Sequence, residues 1–424
     1  MADAYFAFWR EYAHEGPAPA AMSFPDPVWE IQDIGLYTVR FKRSETKAAY
    51  RKFHKKFFRE PWTSKWSRGF INRTKTTGLS VVSKDSTFDE VRGAMQGIAD
   101  ELDKIAPKYR VIFTVNGVTV NSSINFGDDR RLFVMDDAEF EGLAESFKRI
   151  LETMLIPDEQ KPEALAKQLG YVQQLKGWTC CEVIVEGDDD KAKEDAASIA
   201  EPLLDFAQLV AISKSFTEVN VAGGVVPAPR PPMVLMSVDG SHGACSFSFS
   251  HAHRFELSQP IVEEFRQNGF AALLDAIAKP RSSYSDYEIL LVDAMHWIAN
   301  AERQSDPENR VTSYITALEM FFTASNAPIT RDVSEGVAYI LERTPKERAK
   351  LRDRIVSLYG RRSEVSHRGQ RDVAETEVHQ LRVIGINFLA RMSHFAWQFK
   401  DAASVRGWLA TTRLSGSYQE EPDT

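Results

Sequence analysis

A series of helical patterns fills the C-terminal part of the chain, and this feature constrains the fold most. Between residues 284 and 400 apolar residues recur every three or four positions, as at Leu290, Leu291, Ala294 and Ile298. That spacing is typical of the buried face of a helix. Helices are predicted over residues 284–304, 307–323, 332–342, 345–360 and 375–399. The C-terminal part is therefore predicted to be an all-α bundle.

The N-terminal side mixes strand and helix patterns. Strands are predicted over residues 34–41, 79–82, 109–120, 178–185, 216–221, 234–238 and 244–250, and helices over 47–58, 88–105, 137–154, 188–212 and 260–279. Asn116-Gly117 interrupts residues 109–120 and predicts a hairpin there. The predicted fold class is an α+β N-terminal region followed by an all-α helical bundle.

A chain of 424 residues exceeds one ordinary core, so several domains are expected. Pro157 and Pro162 mark a boundary. The predicted parts are an N-terminal arm (1–26), an α+β domain (27–155), a second α+β unit (156–255), a helical domain (256–410) and a disordered tail (411–424). The two α+β units can also form one domain.

Composition predicts a globular protein of a reducing compartment. The chain is 43% apolar and 26% charged, without a run of eighteen apolar residues, so no membrane contact is expected. The first residues lack the basic region of a signal peptide. Three cysteines, two of them adjacent, argue against a disulfide framework. The predicted location is the cytoplasm.

The charge of the chain is unevenly distributed. Residues 40–75 carry thirteen Lys and Arg against two Glu, although the whole chain has a net charge of −8. Basic residues attract phosphates and aromatic side chains stack on unpaired bases, so this segment is predicted to bind RNA. The lysines expected to do so are Lys52, Lys55 and Lys56. The alternative is an amphipathic helix whose aromatic residues enter a core.

A candidate catalytic motif spans residues 359–369, with the sequence Tyr-Gly-Arg-Arg-Ser-Glu-Val-Ser-His-Arg-Gly. Arg362 offers a permanently charged fork for phosphate oxygens, and His367 can take or give a proton near neutral pH. On a helix, a separation of five residues turns two side chains roughly 140° apart. A working pair therefore requires a loop, a helix start or a second chain.

This motif follows a helical segment that contains Ala317-Leu318-Glu319. The two segments together resemble the HEPN superfamily, and within it the ApeA-like HEPN domains. The resemblance covers about the last 140 residues and departs from the family where Arg368 precedes Gly369. It implies a metal-independent endoribonuclease that cleaves RNA through its 2′-OH, and a bacterial antiphage or abortive-infection effector. It also implies a homodimer formed through the HEPN domain, and a phage-derived trigger as a further partner.

The resemblance also assigns roles. His367 is expected to act as general acid or base, and Arg362 to hold the phosphate. Ser363 would bind the phosphate or instead cap the next helix, and Glu319 would orient the motif or instead lie on the surface. Arg361 and Arg368 are expected to bind RNA. In an alternative reading of the motif, Arg361 takes the place of Arg362 as the arginine that works with His367. The alternative function is a catalytically inactive HEPN module that binds RNA or a protein partner.

No cofactor or metal is predicted. His251 and His253 share one face of a strand, but no third ligand lies nearby in the sequence. The chain also lacks the glycine-rich motifs of nucleotide hydrolysis and dinucleotide binding.

Overall fold

A computed structural model describes the chain at residues 29–34, 37–42, 58, 62–79, 87–153, 157–216, 219–223, 233–236, 243–246, 254–323, 329–368 and 373–415. In several of these stretches, including 29–34, 37–42, 233–236, 243–246 and residues 363–368, it describes the backbone alone. The described part is mostly helical, with a small antiparallel sheet in the N-terminal half. An α+β region followed by helices is therefore the observed layout.

The strands are β1 Trp29–Ile34, β2 Tyr37–Lys42, β3 Lys108–Asn116, β4 Val118–Val120, β5 Ile124–Asn125, β6 Arg130–Val134, β7 Thr179–Glu186, β8 Ala222–Gly223, β9 Met233–Met236, β10 Gly243–Ser246 and β11 Phe255–Leu257. Among the described residues, the α-helices of seven or more residues on the N-terminal side are α1 Arg68–Leu79, α2 Phe88–Leu102, α3 Asp137–Thr153, α4 Lys161–Gln173, α5 Asp189–Ser213, α6 Gln259–Phe265 and α7 Ala271–Ile277. The C-terminal helices are α8 Asp286–Arg303, α9 Pro307–Phe322, α10 Ile329–Leu341, α11 Pro345–Arg368, α12 Glu375–His394 and α13 Ala402–Ser415.

The chain divides into two compact units. One contains residues 1–111 and 184–196, and the other contains residues 112–183 and 197–424. This grouping differs from the sequence-based division, which separated residues 156–255 from the C-terminal helices. The units are called unit 1 and unit 2 below.

Two buried tryptophans hold the helices of unit 1. The indole nitrogen of Trp62 donates to Asp103 Oδ1 at 2.7 Å, and that of Trp66 donates to the carbonyl of Leu102 at 2.8 Å. The apolar face of α2 is buried, at Val91, Met95, Ile98 and Leu102. A capping box between Thr87 and Glu90 begins this helix. A strand was predicted over residues 79–82, and this is wrong at Leu79, because Leu79 is the last residue of helix α1.

A five-stranded sheet has the order β5-β6-β7-β3-β8. The pairs β5–β6, β6–β7 and β3–β8 are antiparallel. Phe133, Met135 and Cys180 form a buried core in unit 2, against which Leu143 of α3 packs. Ile150 of the same helix is 53% exposed.

The predicted hairpin at Asn116-Gly117 is wrong, although strands do flank the turn. β4 pairs in parallel with β11, and β3 pairs with β7 and β8 instead. Gly117 has a φ of 77°, and a Cβ there would lie 2.3 Å from the carbonyl oxygen of Asn220. The glycine therefore lets the chain pass close to a neighbouring backbone between two separate pairings. The predicted strand over residues 216–221 is also wrong, since β8 begins at Ala222.

Helices α8 to α13 form the C-terminal part of unit 2. A capping box between Ser285 and Glu288 begins α8. Tyr314, Phe321, Phe322 and Phe388 are fully buried between α9 and α12. The helix α13 was not predicted, and it extends to Ser415, beyond the predicted start of the tail.

One helix has the length and composition of a membrane span. It covers residues 190–213 with a mean hydropathy of 1.3, and 72% of its most apolar window is buried within the protein. Such burial is typical of the core helix of a globular protein.

Candidate functional site

The candidate motif lies inside α11, which runs from Pro345 to Arg368. The prediction that this helix ends near Gly360 is wrong. A glycine in a helix costs only about 1 kcal/mol, and Arg361 and Arg362 are good helix formers, so the helix continues. Positions 362 and 367 are therefore separated by about 140° around one helix axis. A loop or helix-start geometry for this pair is excluded.

Glu319 on α9 holds the motif arginine. Arg362 Nη1 donates to Glu319 Oε1 at 2.6 Å and to the Tyr359 hydroxyl at 3.1 Å. The Tyr359 hydroxyl in turn donates to Glu319 Oε1. The guanidinium also lies 5.5 Å from the centre of the Tyr359 ring. Three side chains from two helices thus form one polar group, called the Glu319 cluster below.

Burial acts on the Tyr359 hydroxyl and limits the exposure of Glu319 and Arg362. Burial, followed by the hydrogen bond to Glu319, raises the pKa of Tyr359 to about 12, so the phenol keeps its proton at neutral pH. The Glu319 side chain is 12% exposed and that of Arg362 is 29% exposed. Arg362 Nε is buried and has no hydrogen-bond partner in the described part of the chain. The guanidinium therefore keeps donor capacity beyond its bonds to Glu319 and Tyr359.

The structure distinguishes the two arginines of the motif. Arg361 Nε donates to Glu377 Oε1 of α12 at 2.9 Å, and its side chain is 44% exposed. Arg362, not Arg361, contacts Glu319. The register that pairs Arg362 with His367 is therefore the one that connects to the Ala317-Leu318-Glu319 segment.

Several predicted site residues lie outside the described side chains. The backbone places Ser363, His367 and Arg368 within α11, but their side chains are not described. Since α12 begins only at Glu375, Ser363 does not cap the next helix. Lys52, Lys55 and Lys56 lie outside the described residues altogether, as do His251 and His253.

The described part of the basic segment is partly a core element. Trp62 and Trp66 are 4% and 5% exposed, so neither ring is free to stack on a base. Lys75 is 5% exposed, and burial lowers its pKa to about 8. Trp62 and Trp66 are thus core residues, whereas the amphipathic helix of the alternative, predicted over residues 47–58, lies outside the described residues except for Phe58.

Two buried charge clusters in unit 2 were missed by the sequence analysis. In one, Glu302 of α8 accepts from Arg310, Tyr314 and Arg382. In the other, Asp205 of α5 contacts His296 and Arg303 of α8. Asp205 lies in the apolar run Leu-Leu-Asp-Phe-Ala, and an acidic residue on an apolar helix face is the pattern that could have identified it.

No family model, curated protein or solved structure matches this chain.

Proposed function

We propose that the chain is a metal-independent endoribonuclease whose reaction centre is the motif on α11. A base removes the proton from a ribose 2′-OH, and the freed oxygen attacks the adjacent phosphorus. The 5′-oxygen leaves and takes a proton, which gives a 2′,3′-cyclic phosphate and a 5′-OH. His367 acts as base or acid, and Arg362 stabilises the charge that develops on the phosphate oxygens.

The Glu319 cluster is the observation that carries this proposal. An arginine that binds a transition state must be held in place before the substrate arrives. Glu319 and Tyr359 hold Arg362 through hydrogen bonds of 2.6 and 3.1 Å, while part of its side chain remains exposed. This support comes from a different helix, so it does not follow from the motif alone.

The same cluster also favours a second candidate function. Glu319 already neutralises Arg362, and a phosphate must compete with a carboxylate 2.6 Å away. An arginine engaged in this way suits a catalytically inactive HEPN module that binds RNA or a protein partner. The two candidates differ in whether RNA is cut.

We extend the proposal to a homodimer, because positions 362 and 367 diverge by about 140° on one helix. Two copies would bring both motifs to a common cleft. The apolar faces of α11 and α12 beside the motif are largely used inside the bundle, since Ile355, Leu358 and Val378 are buried. The exposed apolar residues left on α11 and α12 include Val356 and Val383, at 44% and 45%.

The biological setting we propose is bacterial defence, with RNA cleavage that a phage-derived trigger switches on and that arrests growth. Arg362→Ala and His367→Ala are expected to abolish growth arrest and phage protection while the proteins remain folded. Arg352→Ala is the matched control, since Arg352 lies on the same helix and pairs with the exposed Asp353. Protection by a stable His367→Ala protein would refute the assignment.

A further inference from the structure

The cluster around Asp205 in unit 2 has the composition of a metal site. His296 Nδ1 lies 2.9 Å from Asp205 Oδ2 and 3.6 Å from Glu201 Oε1. One ligand atom from each of the three residues lies within 4.8 Å of the other two. The cluster therefore offers one imidazole nitrogen and two carboxylate oxygens that converge on one point.

The spacing suits an ion of the size of zinc. Zinc binds histidine nitrogen and carboxylate oxygen at roughly 2.0–2.2 Å, which separates the ligand atoms of a tetrahedral site by about 3.3 Å. The separations of 2.9 and 3.6 Å lie on either side of that value. For these two pairs of atoms, side-chain shifts of a few tenths of an ångström would give the separation of a zinc site.

The helices bring these residues together through regular repeats. Glu201 and Asp205 are four residues apart on α5 and share one face. His296 and Arg303 are seven residues apart on α8, which is two turns, and both contact Asp205. The cluster thus links two helices that are distant in sequence.

Arg303 holds the Asp205 carboxylate in place from outside the set of three ligands. Its Nη1 donates to Asp205 Oδ1 at 2.5 Å, and its Nε donates to the carbonyl of Val221 at 3.1 Å. One oxygen of Asp205 is therefore held by the arginine, and the other points to His296. Metal-binding carboxylates are commonly oriented by such a hydrogen bond.

The solvent exposure and the charge of the cluster also suit a metal ion. The Asp205 side chain is 1% exposed, whereas those of His296 and Glu201 are 38% and 54% exposed. The base of the site is thus buried and its outer side is open to solvent, as access and exchange of an ion require. Two carboxylates face one permanent cation, Arg303, so one negative charge remains for a cation to neutralise when His296 is neutral, as a metal ligand must be.

We infer that Glu201, Asp205 and His296 bind a divalent transition-metal ion with the ligand preference of zinc. The imidazole ligand favours zinc over magnesium and calcium, which prefer oxygen ligands alone. The bound ion would join α5 to α8, with an open coordination position on the solvent side. This inference does not depend on the ribonuclease proposal, because its test measures binding and not RNA cleavage.

The test is a titration of the full-length protein, stripped of metal with a chelator and dialysed, with Zn²⁺ by calorimetry and with Co²⁺ by visible absorption. The site predicts one equivalent with the absorption of tetrahedral Co²⁺. His296→Ala and Glu201→Gln should each weaken this binding about tenfold or more, and Arg303→Gln by about tenfold through the outer shell. Mg²⁺ should not compete at equal concentration.

Matched controls separate this site from the other histidines and carboxylates of the chain. His394→Ala removes an exposed histidine of α12, and Glu263→Gln removes an exposed carboxylate, and both should leave the titration unchanged. Circular dichroism verifies the fold of each variant. Equal Zn²⁺ binding by the wild type and the Glu201→Gln/His296→Ala double variant would overturn the inference. So would the absence of an equimolar binding event, which would leave a metal-free ion-pair network.

Discussion

The buried carboxylate of Glu302 in unit 2 is paired with two arginine side chains. The Glu302 side chain is fully buried, and Arg310 and Arg382 each donate to it at 2.8–3.1 Å. The Tyr314 hydroxyl adds a bond of 2.5 Å. Burial acts to raise the pKa of Glu302, but the hydrogen bonds from Arg382, Tyr314 and Arg310 outweigh it, and the pKa is lowered. The cluster connects α8, α9 and α12.

Glu302→Gln should therefore destabilise the protein strongly. Removing one partner of a buried ion pair typically costs about 3–5 kcal/mol, because the remaining charges stay buried. The free energy of unfolding in urea measures this cost. Glu263→Gln, at a half-exposed carboxylate, is the control and should change it by less than about 0.5 kcal/mol. A loss below 1 kcal/mol for Glu302→Gln would contradict the account.

The pH dependence of this effect has a defined sign. The pKa of Glu302 is lower in the folded than in the unfolded protein, so its contribution is present above the unfolded value of about 4.3. It is lost as the pH falls through the lower, folded value. The difference in stability between wild type and Glu302→Gln should be constant near neutral pH and shrink in acid. A difference that grows on acidification would have the wrong sign.

Gly336 marks a close approach of α10 to α9. A Cβ at this position would lie 2.3 Å from a ring carbon of Phe322, which is fully buried. Gly336→Ala should cost about 1–3 kcal/mol through overpacking. Gly142→Ala on α3 has open space around the new methyl group and should stabilise by about 0.4–1 kcal/mol instead. Thermal unfolding of both variants checks the contrast, and equal effects would contradict it.

At the scale of elements, the contact between α9 and α11 positions the candidate site. Tyr359→Phe keeps the ring and removes the hydroxyl that bonds both Glu319 and Arg362. If Tyr359 positions Arg362, RNA cleavage should fall about tenfold, which corresponds to about 1.4 kcal/mol, through kcat and not KM. Tyr339→Phe on α10 is the control. A Tyr359→Phe protein that is less stable but has an unchanged kcat would show that the hydroxyl only supports the fold.

Helix positions could be predicted from the sequence where apolar spacing was long and regular. Residues 307–323 and 137–154 agree with α9 and α3 within two residues, because apolar residues recur at helical spacing over several turns of each segment. The end of α11 could not be predicted, because Gly360 resembles a helix terminator and tertiary context overrides so small a penalty. The hairpin at Gly117 failed for a different reason, since strand pairing depends on partners such as β11, about 140 residues away.

The candidate site was predictable only in part. The motif and Glu319 were visible in the sequence, and the structure brings Arg362 and Glu319 together at 2.6 Å. The distant partners of Glu302 and Asp205 were not visible, because Arg382 and Arg303 lie about 80 and 100 positions away from them in the sequence. Such pairs become neighbours only through helix packing, which local patterns do not encode.

At the scale of the whole molecule, the proposed homodimer would use the exposed apolar residues of α11 and α12. Val356→Glu with Val383→Glu should convert a dimer to a monomer at micromolar concentration and reduce RNA cleavage together with it, because a charge in an apolar interface is costly. Light scattering measures the mass. Val→Thr changes at the same two positions, which are milder, serve as the control. A wild-type monomer with full cleavage activity would refute the dimer.

The most direct test of the central claim is the chemistry of the RNA ends. Purified wild-type protein is incubated with single-stranded RNA in excess EDTA, alongside His367→Ala, Arg362→Ala and Arg352→Ala proteins. The account predicts cleavage by the wild type and by Arg352→Ala, with 2′,3′-cyclic phosphate and 5′-OH ends, and none by the other two. Intact RNA at excess wild-type protein in every activation condition, or equal cleavage by His367→Ala, would contradict it.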